Sequence, residues 1–440
     1  MKNKKWMAIL LGGIMAASLA APCSVSAAEK TTLTFWHAMG GTNGEVLQQI
    51  VDDFNASQDE IEVKAEYQGT YDDTITKLKA AMQSDSGLPD VCQMYDVGTK
   101  FMYDSGAVIP VEDKFESTGY DKSSVMDVIS SYYTVEGKQY AMPFNVSTPM
   151  LYYNKDVFEA AGLDPETPPT TYDEVLEDAK KIVDSGAAPV GYSQAIYGWF
   201  FEQQLAGLGV TYGNNDNGRK EAVTAVDFDS NGGGLKVFDM WKKLYDSGCF
   251  EDYGTTTADT QTAFFSGQVG MIIESTAILK NAVDSSPFEV GTGYLPRIEQ
   301  NDEGGVIIGG GSLWLTDTGN EANEDAGWKF IEYITTPDVQ AKWSMGTGYF
   351  AINEKAYETD DMKAYLKENP NFETAINQLK DSPVNCNTAG VLSGVQTEAR
   401  LTFNEIMPQV YDGKLTTQDA VDQLAASVNK AIENYNESIK

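Results

Sequence analysis

Covalent chemistry has little to draw on in this chain. His37 is its only histidine, so Ser-His and Cys-His catalysis and multi-histidine metal sites would all have to share one residue. No G-x-S-x-G elbow, phosphate-cradling P-loop or H-E-x-x-H occurs. The run Gly213-Asn214-Asn215-Asp216-Asn217-Gly218 has the composition of a calcium loop, but Gly213 and Thr224 stand where the first and twelfth ligands belong, so it reads as a turn. Gly309-Gly310-Gly311 opens no helix and is not a dinucleotide fingerprint. No metal and no cofactor are expected. Among 65 Asp and Glu, some carboxylate pair always falls near a cleft, which gives a glycosidase signature almost no specificity. What remains is a set of aromatic and small polar residues at the ends of expected elements: Trp36, His37, Tyr71, Asp96 and Asn145, then Ser147, Trp199, Ser275, Thr276 and Tyr349. Rings cover the apolar faces of sugars, while carboxylates and hydroxyls take their hydroxyl groups, so this set suits a carbohydrate. Each residue also fits a structural role. Trp36 suits a core, and Trp199 suits packing under a helix.

The elements that must position these residues alternate. Leu33-Thr34-Phe35-Trp36 reads as a strand, and Val46, Leu47, Ile50, Val51 and Phe54 share one helical face. Ile61 to Tyr67 is a second strand, Tyr71 to Ser84 a helix striped by Ile75, Leu78 and Met82, and Asp90 to Tyr95 a third strand. A βαβαβ start predicts a parallel, doubly wound sheet. Ligands on such sheets sit beyond the carboxyl ends of the strands, near Trp36, Tyr67 and Tyr95. A hairpin turns at Glu136-Gly137-Lys138, and Asn145 to Asn154 leaves the first lobe as a strand. Thr171-Tyr172-Asp173-Glu174 is a capping box that opens a helix of the second lobe. Ile307 to Leu315 is a Gly-interrupted strand, and the C-terminal third is mostly helical.

Charge and length bound the function class. The chain has 440 residues, 42% of them hydrophobic, enough for about two domains. Lys and Arg number 31 against 65 acids, for a net charge of −34, and only Arg219, Arg297 and Arg400 are arginines. That balance argues against a nucleic-acid partner. Residues 1–28 read as a secretory signal, with Lys2, Lys4 and Lys5 ahead of an apolar run too short and weak for a membrane span. Its removal takes away three lysines and no acid, leaving −37. The product is exported, to the periplasm or the outer face of the cell membrane. Cys23 offers a minority alternative of lipid anchoring, against which Pro22 stands where Gly, Ala or Ser is wanted. Cys92, Cys249 and Cys386 remain, an odd number that allows one disulfide at most.

Seven segments carry a resemblance: Phe35-Trp36-His37-Ala38-Met39, Tyr67 to Tyr71, Gln93 to Thr99, Pro143 to Pro149, Leu151 to Asp156, Ile308 to Trp314, and Thr347-Gly348-Tyr349. Over nearly its whole mature length the chain resembles the extracellular solute-binding proteins of bacterial ABC importers, in the sugar-binding class that includes maltose and glycerol-3-phosphate receptors. The resemblance implies an α/β, two-lobed periplasmic-binding-protein fold of type II, each lobe a mainly parallel sheet flanked by helices. After the signal (1–28), lobe one would span 29–143 and a return segment 291–342, and lobe two 144–290 and a C-terminal helical part 343–440. Hinges would lie near Asn145, Glu289 to Gly291 and Trp343 to Gly346. Such a protein is no enzyme: as a monomer it captures a carbohydrate by hinge closure and delivers it to membrane permease subunits.

By that similarity Tyr71, Asp96, Ser147, Trp199, Ser275 with Thr276, Gly310 and Tyr349 line the ligand cleft, Tyr71 and Asp96 from lobe one and Trp199 and Tyr349 from lobe two. Glycerol-3-phosphate-binding members have Glu where this chain has Asp96, and a phosphate-pairing Arg where an ungapped count back from Arg400 puts Leu392. Leu lacks the bidentate fork that phosphate recognition favours. With the net charge of −37, this tilts the ligand towards a neutral sugar or oligosaccharide. The alternative is a glycerol-3-phosphate or glycerophosphodiester receptor in which Arg400 or a lysine supplies the cation. A secreted carbohydrate-active enzyme using Asp96, or a protein presenting its ligand to a membrane sensor, are the remaining readings.

Overall fold

The computed structural model describes residues 30–84 and 87–439; the expected signal segment and Cys23 lie outside them. The strands, in chain order, are β1 (Thr31–His37), β2 (Ile61–Tyr67), β3 (Val91–Tyr95), β4 (Val108–Ile109), the hairpin β5 (Thr134–Val135) and β6 (Lys138–Gln139), β7 (Met142–Ser147), β8 (Pro149–Asn154), β9 (Val190–Ser193), β10 (Val269–Ser275), β11 (Val290–Gly293) and β12 (Gly309–Thr316). They build two larger sheets, in the orders β2-β1-β3-β12-β4, with β7 also on β12, and β11-β8-β10-β9. Each sheet is covered by helices, which gives the two-lobed α/β architecture.

The βαβαβ start forms as its periodicity requires. Alternation buries Leu33, Phe35 and His37 on one face of β1. The crossover helices Gly41–Ser57 and Tyr71–Gln83 return the chain so that β2 and β3 both run parallel to β1. Beyond this start the sheets are mixed rather than mainly parallel. β12 runs antiparallel to β3, β4 and β7, and β8 antiparallel to β10 and β11. The cause is connectivity: β7, β8, β11 and β12 are joined by passages between the sheets, not by the helical crossovers that impose a parallel neighbour.

The chain passes between the sheets at Thr148, between Gly293 and Gly309, and again over residues 382–395. Thr276 stitches the first passage: its N–H donates to the Thr148 carbonyl at 2.8 Å and its Oγ1 accepts from the Thr148 N–H at 3.2 Å. At the second passage Gly310 has φ +92°, and a Cβ there would stand 1.9 Å from the Asn145 carbonyl oxygen. Only glycine fits this close approach of β12 to β7, which accounts for the Gly interruption.

Two apolar cores form. One joins the first sheet to the helices Glu321–Ile334 and Pro337–Thr347 and continues onto one face of the second sheet through Tyr152, Ile272 and Val290; the other joins the opposite face of the second sheet to the helices Tyr172–Ser185, Gly198–Gly207, Gln396–Tyr411 and Thr417–Ser438. Trp343 stacks on Phe144 (centroids 4.7 Å apart) and on Tyr349 (5.5 Å), and the Phe350 N–H donates to the Val146 carbonyl at 2.9 Å. Residues 343 to 352 therefore pack with the first sheet, whereas the sequence expectation puts them in lobe two. A helical periodicity says which face is buried but not which sheet it covers.

The Asn214–Gly218 segment is a turn, with Asn215, Asp216 and Asn217 all at positive φ. Asn217 holds it by accepting from the N–H groups of Tyr212 and Gly213. Cys92, Cys249 and Cys386 are free thiols. Burial pushes the Cys92 thiol up to about 12, so it is an inert core group. No helix among the described residues is long and apolar enough to cross a membrane.

Candidate functional site

A cleft of about 250 Å³ opens where the carboxyl end of β3 faces the end of β10. Seven of the sequence candidates line it: Tyr71, Asp96, Ser147, Trp199, Ser275, Gly310 and Tyr349. On the side of the first sheet, the Thr70–Asp73 capping box fixes the first turn of the Tyr71–Gln83 helix and so presents Tyr71 at its start. The Tyr71 ring stacks on Tyr95, 5.1 Å between centroids and 9° between planes. Asp96 follows directly on β3, in a short turn. Ser147 ends β7, and Tyr349 is held from behind by Trp343.

Four candidates stand behind the surface or away from it. Asn145 is fully buried; its Nδ2 donates to the Tyr71 hydroxyl at 2.7 Å and its Oδ1 accepts from Gln93 Nε2 at 2.7 Å. It thus orients Tyr71 from below. Thr276 secures the Thr148 passage, as described. His37 is buried under β1, where its Nδ1 accepts from the Met39 N–H at 3.3 Å. Burial lowers its pKa to about 4, so it is neutral at pH 7. Trp36 points to the other face of β1 and donates its Nε1 to Glu66 at 3.0 Å.

The other side of the cleft rests on one close helix contact. At Gly198 a Cβ would stand 2.5 Å from the Arg400 Cα, so the missing side chain lets the Gln396–Tyr411 helix lie directly on the start of the Gly198–Gly207 helix. Asn404 caps the contact by accepting from the Gly198 N–H at 2.9 Å. Trp199 then faces the cleft, and Arg400 meets Glu202 through two bonds, Nε to Oε1 at 2.8 Å and Nη2 to Oε2 at 2.7 Å. The same Nη2 reaches across to Asp96 Oδ2 at 2.9 Å. Gln396 adds a donor to Glu202 at 2.7 Å.

Arg400 is thus the cation of the cleft, and its charge is already matched. It is 7% exposed and Asp96 4%, so the pair is a desolvated link between lobes. Burial alone would depress the guanidinium, but Asp96 and Glu202 outweigh it and hold its pKa well above the usual value. Leu392 lies elsewhere: it lines a void of about 10 Å³ with Val223 and Ile432, and its N–H donates to the Asn217 carbonyl at 2.8 Å.

Tyr95, Tyr197, Gln261, Glu274 and Arg400 also line the cleft; the first four were not among the sequence candidates, and Arg400 was named only as the cation of the alternative receptor. Tyr95 could have been found, since it ends the third strand beside Asp96. Arg400 had the signal of scarcity, being one of three arginines. Tyr197, Gln261 and Glu274 carry no local signal. A larger cavity, about 610 Å³, lies between Pro168–Thr170, the Gly293–Gly309 passage and the Asn371–Asp381 helix. It holds none of the sequence candidates.

Comparison with known proteins shows the family of the chain. Residues 49–374 match the family of bacterial extracellular solute-binding proteins. The chain is 30% identical over 417 residues to the sn-glycerol-3-phosphate-binding periplasmic protein UgpB of Escherichia coli (strain K12), covering 93% of this chain and 94% of that one. Among solved structures, the cyclic alpha-maltosyl-1,6-maltose binding protein from Arthrobacter globiformis superimposes with a TM-score of 0.76 at 25% identity, covering 92% of this chain and all of that one. UgpB from Mycobacterium tuberculosis, in complex with glycerophosphocholine, does so with a TM-score of 0.79 at 20% identity, covering 93% and 100%. A two-sheet fold, a cleft of rings and small polar groups at the strand ends, and full-length similarity thus converge: the chain belongs to the bacterial extracellular solute-binding proteins.

Proposed function

We propose that this binding protein is the receptor of a carbohydrate ABC importer, capturing a sugar or oligosaccharide without anionic groups by closure of its two lobes and delivering it to a membrane permease. It works as a monomer exported by cleavage after residue 28, free of a lipid anchor because Pro22 precedes Cys23. The observation that carries the ligand class is the state of Arg400. A phosphate needs a cation with uncompensated charge, and here the carboxylates of Asp96 and Glu202 already face the one guanidinium through its Nε and Nη2. Five rings, those of Tyr71, Tyr95, Tyr197, Trp199 and Tyr349, border the same space, as suits the apolar faces of pyranose rings. A second cavity of about 290 Å³, lined by Thr42, Asn43 and Asn281, shares Ala277 and Ile278 with the cleft.

The alternative, a glycerol-3-phosphate or glycerophosphodiester receptor, is favoured by the 30% identity to a protein named for that ligand. It requires Arg400 to meet the phosphate through Nη1, which neither Asp96 nor Glu202 takes. Thermal-shift and tryptophan-fluorescence screening with neutral sugars, sugar phosphates, glycerophosphodiesters and polyols separates the two. A response to neutral sugars alone supports the carbohydrate receptor, a response to phosphate esters alone supports the alternative, and silence throughout removes both.

A further inference from the structure

Two carboxylates face the cleft, and they differ in what neutralises them. Asp96 meets the Arg400 guanidinium at 2.9 Å. Glu274, 5% exposed near the end of β10, has only neutral donors: Gln261 Nε2 at 2.9 Å and the Ser275 N–H at 2.7 Å. Burial raises its carboxyl pKa above the usual range, and those two bonds reverse this only in part, with no lysine or arginine contributing. Three buried carboxylates, Asp96, Glu202 and Glu274, thus share this region with one guanidinium.

A buried carboxylate without a counter-charge is costly, and the group that best relieves it is a cation bearing N–H donors. A sugar hydroxyl satisfies the hydrogen bond but not the charge, and a phosphate adds to the excess. The rings of Tyr197 and Trp199 border the same cavity, and their negative faces also favour a cation. We propose that Glu274 is a specificity-determining residue of the cleft, forming with Gln261 a subsite for a protonated amino group on the captured carbohydrate. The preferred ligand is then an amino sugar or an oligosaccharide containing one. This rests on the carbohydrate reading of the cleft and sharpens it from "not anionic" to "cationic at one position".

The test is calorimetric titration of the mature protein near neutral pH with matched pairs: glucose oligomers of α-1,4 and β-1,4 linkage against the 2-amino-2-deoxyglucose oligomers of the same linkage and length. The amine-bearing member binds tighter by roughly tenfold or more, the worth of one charge-assisted hydrogen bond. Glu274→Gln weakens it by about that factor more than it weakens the neutral member. The wild-type comparison needs no variant, so a Glu274→Gln protein that fails to fold does not remove the test. Equal affinities within every pair, tighter binding of the neutral member, or a preference that survives Glu274→Gln overturns the amine subsite while the carbohydrate reading stands. If no member of either series nor any other sugar binds, that reading falls and takes the subsite with it.

Discussion

The two walls of the cleft are built differently. On one side Tyr71, Tyr95 and Asp96 come from consecutive elements, each at a strand end or helix start that the first sheet's topology fixes. On the other side Trp199, Glu274 and Arg400 are far apart in sequence and meet because the Gln396–Tyr411 helix rests on Gly198 and because β10 ends against the Thr257–Phe265 helix. The near wall is a product of local order, and the far wall a product of packing. The electrostatics follow the same division. The cation that matches Asp96 belongs to the far wall, so the charge balance of the site is established only when both lobes are in place.

The strongest way to break this picture is to remove Arg400. Arg400→Met leaves Asp96 and Glu202 buried without a counter-charge, and we expect a loss of about 3–5 kcal/mol in urea unfolding. A loss well under 1 kcal/mol would mean that water already solvates the pair and that the walls are not electrostatically joined.

Next in size is the contribution of His37 beneath the near wall. An unfolded chain protonates this imidazole near 6.5, the folded one only near 4. Its contribution is therefore fully present above about 6.5 and is lost as the pH falls towards 4, at most about 3 kcal/mol. Unfolding measured across that window should show the loss in the wild type and a shallower slope in His37→Asn; identical slopes would show that His37 is solvated.

Trp199→Ala tests the far wall as a sugar platform. It should cost about 2 kcal/mol of ligand binding, read by calorimetry at a temperature where the variant is folded. Unchanged affinity would reduce Trp199 to a packing residue. Smallest is Tyr95→Phe, which removes the hydroxyl's bonds to Asp72 at 2.9 Å and Thr397 at 2.5 Å. We expect about 1 kcal/mol of stability, and no change would mean that this contact between the walls is incidental.

The contrast between the walls also explains what could be read in advance. The βαβαβ start, the carboxyl ends of its strands and the candidates Tyr71 and Asp96 were legible because periodicity and capping chemistry are local. Ser147, Trp199, Ser275 and Tyr349 were named for their residue types at expected element ends and Gly310 through resemblance to a family, but no local pattern places a residue of the Gly198–Gly207 helix opposite β3. Glu274 was missed altogether. Its type and position in an apolar strand say only that something unusual is buried, and Gln261 is brought to it by tertiary packing. The antiparallel strands and the placement of residues 343 to 352 escaped for the same reason: strand direction after a passage between sheets, and the partner of an amphipathic helix, are properties of the whole fold. Arg400 shows the limit of counting cations by alignment. Leu392 does stand off the cleft, yet a guanidinium is present there, and what decides its use is the pair of carboxylates around it.

The central claim, that the cleft takes a carbohydrate and turns away phosphate esters, is tested most directly by titration calorimetry of the mature protein with neutral and amino oligosaccharides alongside glycerol-3-phosphate and glycerophosphocholine. The structure predicts micromolar or tighter binding of at least one oligosaccharide and none of either phosphate ester. Tight binding of a phosphate ester with no response to any sugar would contradict it.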